Sequence, residues 1–275
     1  MSTKVLPRNA LDAVKRARPV YTVARRVRFA VGSRLGAREV PGIGRVHYND
    51  FMLDSSNPAD VASYRQNAEE IVDQIGDSLA KAGREWESVS AALEVGCGYG
   101  RIVRELQKRL PAERIYVSDV IDEGARFTAA EFGVHKMPVA EEAGPEWNER
   151  FDLIYLLSVY THLPEAVIKK HLSRMEALLA PGAVFIFTTH GRGSAENAER
   201  YNQYWLDKNN VLARVERDGY YFERYPYYYD EYGLTWLTPP AVERLIAESA
   251  PTLAPVSWQP MVVGGHQDLH VWRKP

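Results

Sequence analysis

From residue 90 onwards, short apolar runs alternate with stretches of helical periodicity, and this order constrains the fold more than any other feature of the chain. Neighbouring parallel strands need a crossover connection, which is usually a helix. Helices then cover both faces of the sheet, so its strands are expected to be continuously apolar, as these runs are. The sequence therefore predicts an α/β fold with a doubly wound parallel sheet. The predicted strands are 91–95, 114–118, a weak one near 134–139, 151–157 and 183–189, separated by helices at 101–110, 123–132 and 164–179.

Helical patterns also lie on both sides of this alternating region. Apolar residues three and four positions apart predict one helix over 20–31 and another over 58–81. Asn57 is a suitable N-cap for the second helix, with Pro58 at its first position. Glycines and a proline between these two helices predict irregular structure. At the other end of the chain, the pattern predicts a helix at 239–248 and closing strands at 253–258 and 269–272.

Charge is divided unevenly along the chain. The formal net charge is −2, but residues 1–38 contain ten basic residues and one acidic residue, which makes that segment +9 and leaves −11 for the rest. Such a basic segment either contacts an anionic surface or pairs with its own acidic body. We therefore predict a basic N-terminal arm and helix over 1–57 and a main domain over 58–275. An insertion at 191–233 interrupts that domain after the fifth strand.

Cysteine content and hydropathy limit the cellular setting. Cys97 is the single cysteine, so no intrachain disulfide can form and zinc sites built from several cysteines are excluded. No apolar run reaches the roughly 18 residues that a membrane-spanning helix needs. The first residues lack the apolar core of a secretory signal. These features predict a cytoplasmic protein.

The most informative segment is a glycine-rich turn between the first predicted strand and the following helix. It has the pattern Glu-x-Gly-x-Gly-x-Gly over residues 94–100. Glycine allows positive φ angles and lets a ligand approach the backbone closely, and a helix N-terminus offers free N–H groups. A dinucleotide-binding fingerprint would place its third glycine at position 101, where this chain has Arg101. The spacing therefore differs from that of nicotinamide-binding enzymes.

A second acidic residue stands where a nucleoside-binding carboxylate is expected. Asp119 ends the second predicted strand, nineteen residues after Gly100. A carboxylate there can accept two hydrogen bonds from a ribose diol. Nicotinamide-dependent enzymes and methyltransferases both use such a residue, so Asp119 predicts nucleoside binding without separating the two classes.

Two later segments complete a recognisable set of motifs. Residues 158–164 read Ser-Val-Tyr-Thr-His-Leu-Pro after the fourth strand, and residues 178–183 read Leu-Leu-Ala-Pro-Gly-Ala before the fifth. Together with the turn at 94–100, they resemble the motifs of class I S-adenosylmethionine-dependent methyltransferases of the bacterial small-molecule type. The resemblance covers about residues 90–190. It departs from the family at Ala183, where a second glycine is usual.

This resemblance implies both a fold and a cofactor. The fold is a Rossmann-like sheet of seven strands in which only the last is antiparallel, and the cofactor is S-adenosyl-L-methionine. In this family the glycine turn wraps the methionine part of the cofactor, the acid before it helps to hold the amino end, and an adenine contact follows the third strand. The cofactor-binding residues implied in this way are Glu94, Gly96, Cys97, Gly98, Gly100, Asp119, Val120, Ala140, Glu141 and Ser158.

Methyl transfer to an alcohol requires that the alcohol lose its proton, which favours a general base with a pKa near neutrality. His162 follows the fourth strand and His190 ends the fifth, so both are expected at the carboxyl ends of the strands, where ligands bind in such sheets. We rank His190 above His162, because Leu163 and Pro164 begin a helix that can hold His162 in a structural contact. Tyr160 is a third candidate, as a donor or as a wall. A hydroxyl acceptor is predicted on these two histidines alone.

Two further sets of residues, a polar set near the C-terminus and the aromatic residues of the insertion, can each be explained by a structural role or by a functional one. His266, Asp268 and His270 alternate along a predicted strand, but solvated polar faces are common on terminal strands, so no metal site is predicted. The insertion is rich in tyrosine and can form an acceptor-binding lid, a subdomain core or a homodimer contact. The aromatic residues in question are Tyr220, Tyr221, Phe222, Tyr225, Tyr227, Tyr228, Tyr229 and Tyr232.

The function predicted from the sequence is methyl transfer to a small-molecule or glycoconjugate acceptor. A nicotinamide oxidoreductase is the rival enzyme class, and Glu94 and Arg101 speak against it. The basic arm suggests a nucleic-acid methyltransferase, but the Asn/Asp-Pro-Pro-Tyr/Phe motif of base-amino methyltransferases is absent after the fourth strand. A noncatalytic protein that binds S-adenosylmethionine remains the other alternative.

Overall fold

The computed structural model describes residues 17–140, 142–198, 206–225 and 231–275. Its strands are β1 (Ala37–Val40), β2 (Gly44–His47), β3 (Ala92–Val95), β4 (Ile115–Ser118), β5 (His135–Lys136), β6 (Phe151–Leu156), β7 (Leu179–Thr189), β8 (Tyr220–Arg224), β9 (Gly233–Leu237), β10 (Ala254–Val263) and β11 (Gln267–Arg273). Its helices are α1 (Arg18–Leu35), α2 (Pro58–Lys81), α3 (Arg101–Leu106), α4 (Asp122–Phe132), α5 (Glu165–Leu178), α6 (Arg192–Glu196), α7 (Lys208–Asp218) and α8 (Pro239–Ser249).

Seven of these strands form the central sheet, in the spatial order β10-β11-β7-β6-β3-β4-β5. Strands β3 to β7 all run parallel to one another, whereas β11 runs antiparallel to both β7 and β10. The sheet therefore has the Rossmann-like, doubly wound arrangement with an antiparallel last strand that the resemblance implied. The strand order reverses between β3 and β6, which opens a crevice beyond their carboxyl ends.

Helices cover the sheet on both faces, which explains why its strands are continuously apolar. One core cluster joins α5 and α8 to side chains such as Leu93 and Phe185, and the other joins α2, α3 and α4 to side chains such as Ala92 and Val184. Adjacent residues of one strand thus point into different cores. No described helix has the length and apolarity required to cross a membrane.

Several elements differ from the prediction in extent. Helix α2 begins and ends at the predicted residues. Its start is fixed by the side chain of Asn57, which accepts a hydrogen bond from the backbone N–H of Ala59. Helix α3 ends at Leu106 rather than near 110, and the third strand shrinks to His135–Lys136 at the sheet edge. The two flanking regions also contain structure that was not predicted. Strands β1 and β2 form a hairpin, and the insertion folds into α6, α7 and strand β8, which pairs with β9.

Candidate functional site

The glycine turn joins the end of β3 to the start of α3 at the mouth of the crevice. Gly98 and Gly100 have φ angles of 53° and 84°, the left-handed region that favours glycine. A Cβ atom on Gly100 would lie 2.4 Å from Phe132, so this glycine is required for packing. A Cβ atom on Gly98 would meet no heavy atom within 4 Å. The turn thus has one packed side and one open side, and Gly98 faces the open side.

The carboxylate of Asp119 ties the glycine turn to the end of β4. Its Oδ2 accepts a hydrogen bond of 2.7 Å from the backbone N–H of Gly98, and its Oδ1 accepts one of 2.7 Å from the N–H of Ile121. Burial raises the pKa of Asp119, although both hydrogen bonds lower it. A carboxylate has about four acceptor positions, so these two bonds leave capacity for a ligand diol.

Glu94 is buried in strand β3 of the central sheet. Its Oε2 accepts a hydrogen bond of 2.9 Å from the hydroxyl of Tyr155. Burial raises the pKa of Glu94 to about 8, and the hydrogen bond from Tyr155 opposes this shift. The carboxyl therefore holds its proton near neutral pH, and a cation beside it would favour the ionised form. A carboxyl group whose ionisation depends on a nearby cation is suited to binding an ammonium group.

The other predicted cofactor residues have diverse surroundings. Cys97 is buried, and burial raises the pKa of its thiol, so it packs as a neutral side chain. Val120 follows Asp119 directly and is 82% exposed at the crevice end of β4. Ala140 is buried, and its carbonyl accepts a hydrogen bond from Arg174. Glu141 lies outside the described residues.

Ser158 adopts a φ of 59° at the end of β6 and belongs to a polar network. The Ser158 N–H donates to the Thr188 hydroxyl (2.8 Å), which donates in turn to Gln267 Oε1 (2.6 Å). The Gln267 amide donates to the Ser158 hydroxyl at 2.8 Å. Sequence reasoning did not find Gln267, because it lies 109 residues from Ser158 and carries no motif of its own.

His162 and His190 lie close together, with ring centroids 6.5 Å apart. The Nδ1 atom of His162 is 2.8 Å from the carbonyl oxygen of Gly233. Since a carbonyl only accepts, Nδ1 carries the hydrogen and Nε2 is the proton acceptor of the neutral ring. Burial lowers the pKa of His162. Burial also lowers the pKa of His190, to about 3, and the nearby His162 and His266 rings add to the effect.

The insertion docks directly onto these two histidines. The N–H groups of Gly233 and Thr235 donate to the carbonyls of His162 and Thr161, and Leu237 N–H donates to the carbonyl of His190. These three bonds attach β9 to the loop after β6 and to the end of β7. Because β9 also pairs with β8 of the insertion, this backbone pairing holds the insertion at the crevice.

Some of the aromatic side chains of the insertion contact His162, and others point elsewhere. Tyr232 stacks on the His162 ring at 5.0 Å, and the Tyr225 hydroxyl lies 3.3 Å from His162 Nδ1. Tyr220 points elsewhere, since its hydroxyl accepts from the backbone of α5. Tyr221 bonds to Glu223, and Tyr227, Tyr228 and Tyr229 lie outside the described residues.

Tyr160 is buried in the core, where its hydroxyl is 2.9 Å from His171 Nδ1, on the face covered by α5.

His270 stacks on Phe187, and its Nε2 lies 2.9 Å from the Thr189 hydroxyl. Among the described residues, no three His, Cys, Asp or Glu side chains lie together as metal ligands.

The N-terminal segment contacts the glycine turn, which the sequence did not indicate. The His47 ring stacks on Tyr99 within the turn, with centroids 4.7 Å apart. Glu123 accepts hydrogen bonds from the Tyr99 hydroxyl (2.9 Å) and the Asn49 amide (2.7 Å). The hairpin β1–β2 and the loop after it therefore form a wall beside the crevice.

Comparison with known proteins agrees with this geometry. A family model described as "Methyltransferase domain" matches residues 61–224. The chain is similar in structure to the PH0226 protein of Pyrococcus horikoshii OT3, with a TM-score of 0.55, 14% identity, and coverage of 83% of this chain and 98% of that one. It is also similar to the magnesium protoporphyrin IX methyltransferase of Synechocystis PCC 6803, solved with bound SAH (TM-score 0.52, 10% identity, 80% and 88% coverage). A search of curated proteins finds no match.

Proposed function

The chain belongs to the methyltransferase domain family and its cofactor is S-adenosylmethionine; from that premise we propose that it methylates a hydroxyl group of a small-molecule or glycoconjugate acceptor. The observation that carries the proposal is the orientation of His162, whose Nδ1 is directed at the Gly233 carbonyl, so that Nε2 is the basic nitrogen. A homodimer remains a prediction from the sequence.

The residues of the glycine turn fit the cofactor. The open space at Gly98 is a cradle that a side chain would fill, and Asp119 keeps acceptor capacity beside it. We assign Gly96, Gly98 and Gly100 to the methionine part, Asp119 to the ribose and Glu94 to the amino end. Val120, Ala140, Glu141 and Ser158 are proposed as further contacts, with Cys97 as packing inside the turn.

When bound, the cofactor supplies a methyl group already activated by its sulfonium, so the protein's task is largely positioning and removal of the acceptor proton. In the proposed step, the bound cofactor would supply the methyl carbon and keep the electron pair of its broken carbon–sulfur bond as a neutral thioether. The acceptor oxygen would take the methyl group, and its proton would pass to a nitrogen of His162 or His190. We place His162 above His190 as this base, which reverses the order expected from the sequence. The reason is that His190, with a pKa of about 3, is a weak base, whereas the Gly233 carbonyl engages Nδ1 of His162 and leaves its Nε2 as the proton acceptor.

Tyr225, Tyr232 and His162 form the aromatic wall against which we place the acceptor. Phenol rings offer apolar area together with a hydroxyl, which suits a polar acceptor with a flat or cyclic body. Tyr160 is the weakest of the three catalytic candidates, because its hydroxyl is engaged with His171 in the core.

The experiment has two stages. Calorimetry with S-adenosylhomocysteine tests cofactor binding, and mass spectrometry of a panel of phenols, sugars, amines and carboxylic acids incubated with S-adenosylmethionine tests the acceptor class. We expect binding, and methylation confined to hydroxyl compounds. Methylation of amines alone would contradict the hydroxyl proposal, and binding without turnover on any class would favour the noncatalytic alternative. Salt-dependent binding and methylation of RNA or DNA would favour the nucleic-acid alternative.

A further inference from the structure

Helix α1 carries a row of apolar side chains that the described part of the molecule leaves exposed. Its spacing of three and four residues places the row within about 120° of the helix surface. Each residue of the row is between 49% and 60% exposed. The row consists of Val20, Val23, Val27, Val31 and Leu35.

The body of the protein holds α1 near its C-terminal end. Gly32 is buried against Asn49, whose side-chain amide donates to the Phe29 carbonyl (3.0 Å) and the Ser33 hydroxyl (3.1 Å). All residues from 23 to 30 are exposed. In proteins, most of the stability of a helix comes from packing of its apolar face rather than from the helix itself. The row on α1 therefore needs a surface outside the described residues.

The charge of α1 indicates the chemistry of that surface. The helix contains five arginines and no acidic residue. Arg25, Arg26 and Arg28 lie off the apolar row, where long side chains can reach past it towards anionic groups. An arginine-rich polar face combined with an apolar face is typical of helices that lie in the interface of a membrane. Pairing the apolar rows of two copies of this chain face to face is less favourable, because it would bring two +9 segments together.

A second apolar site lies in the loop that anchors α1. Phe51 and Met52 are 68% and 59% exposed, directly after Asn49 and Asp50. The Asp50 carboxylate accepts hydrogen bonds from the Tyr64 hydroxyl (2.7 Å) and the Met52 N–H (3.0 Å), so the loop is fixed to α2. Exposed phenylalanine and methionine on a fixed loop are suited to insertion beside the helix.

We propose that α1 and the loop carrying Phe51 and Met52 form a docking surface for an anionic phospholipid bilayer. The valine row enters the boundary between headgroups and acyl chains, and the arginines contact lipid phosphates. Because His47 of the same segment stacks on Tyr99 of the glycine turn, docking brings the mouth of the crevice close to the bilayer.

The test is co-sedimentation of the full chain with vesicles of phosphatidylcholine alone and of phosphatidylcholine mixed equally with phosphatidylglycerol. We expect binding to the mixed vesicles only, reduced at least about tenfold by Val23→Glu/Val27→Glu. Lys170→Glu on α5 is the matched control, since it changes the net charge by the same amount at an exposed helix position. Circular dichroism verifies that each variant is folded, and Phe51→Ser tests the loop in a protein whose helix is intact.

Three results would overturn the proposal. One is failure of the wild-type protein to bind mixed vesicles, and another is equal binding by Val23→Glu/Val27→Glu. The third is a concentration-dependent dimer in sedimentation velocity that the double substitution abolishes, without capture by vesicles. None of these measurements depends on methyl transfer, so the proposal stands or falls separately from the enzymatic function.

Discussion

The two halves of the crevice are built in different ways. The half that we assign to the cofactor, called here the cofactor half, comes from short, neighbouring segments: the glycine turn and the end of β4, joined by the 2.7 Å bond between Gly98 and Asp119. The half that we assign to the acceptor, called the acceptor half, joins the loop after β6 to an insertion 71 residues away, through the contact between His162 and Gly233. The first half is contiguous enough to leave a motif in the sequence, and the second leaves only isolated histidines and tyrosines.

The halves also differ in charge. The cofactor half presents two carboxyl groups, Glu94 and Asp119, whose pKa values burial raises. The acceptor half presents imidazoles whose pKa values burial lowers, so its rings are neutral near pH 7. Carboxylates suit a cationic cofactor, whereas a neutral imidazole suits removal of a proton. Variants in one half are therefore expected to change binding, and variants in the other to change turnover.

The largest expected effect lies in the cofactor half. Gly98→Val should abolish binding of S-adenosylhomocysteine in calorimetry, because the new side chain occupies the open side of the turn at a φ of 53°. Gly83→Val is the matched control, since that glycine also has a positive φ (71°) and open space but lies at the end of α2. Both variants carry similar backbone strain, so unchanged affinity in Gly98→Val would remove the assignment of the turn.

The next effect belongs to the acceptor half. His162→Ala should lower kcat by roughly 10²–10⁴ and leave the affinity for S-adenosylhomocysteine unchanged, because it removes the proposed base without touching the glycine turn. His190→Ala should have a smaller effect on kcat. Steady-state kinetics and calorimetry on both variants measure the two quantities separately. A larger loss of kcat in His190→Ala would restore the order expected from the sequence.

The pH profile of the wild-type enzyme distinguishes the same two histidines. The base must be unprotonated, and burial lowers the pKa of His162, so kcat should fall with decreasing pH only below the ordinary histidine value of about 6.5. A base at His190, with a pKa of about 3, would give no acidic limb until well below pH 5. An acidic limb centred above 6.5 would contradict both assignments.

A moderate effect on cofactor affinity is expected at Asp119, which joins the end of β4 to the glycine turn. Asp119→Ala should weaken cofactor binding by about 1.5–3 kcal/mol, or roughly ten- to 150-fold, through loss of hydrogen bonds to a charged group. Asp122→Ala serves as the control, because this neighbouring acid forms surface ion pairs with Arg126 and Lys136. Calorimetry measures the affinities. A defect in turnover with unaltered affinity would place Asp119 in the acceptor half.

The fold was predictable where its signals are local. The order of strands and helices follows from apolar periodicity, and α2 begins at Pro58 because Asn57 caps it. The β1–β2 hairpin escaped prediction because its strands are four residues each, its turn contains Pro41 and Gly42, and Gly44 begins β2; this combination of residues predicts irregular structure. Two-residue β5 is too short for any periodicity to appear.

Prediction of the site was limited by distance along the chain. The segment 94–119 predicts a cofactor-binding crevice from sequence alone, because Glu94, the glycine turn and Asp119 have fixed spacings. The Ser158–Gln267 network and the stacking of His47 on Tyr99 join residues 109 and 52 positions apart, and no local pattern relates such partners. Burial by the insertion, which sets the pKa values of His162 and His190, likewise depends on tertiary structure alone.

The smallest expected effect tests how tightly the acceptor half is coupled to its insertion. The Tyr225 hydroxyl lies 3.3 Å from His162 Nδ1, a long contact, whereas the Gly233 carbonyl lies at 2.8 Å and sets the same tautomer. Tyr225→Phe should therefore lower kcat only about two- to fivefold, the equivalent of about 0.5–1 kcal/mol for a weak hydrogen bond. A larger rise in KM than fall in kcat would mean that the hydroxyl contacts the acceptor. A loss of kcat as large as in His162→Ala, with KM unchanged, would show that Tyr225 rather than Gly233 orients the base, because a backbone carbonyl remains in place in this variant.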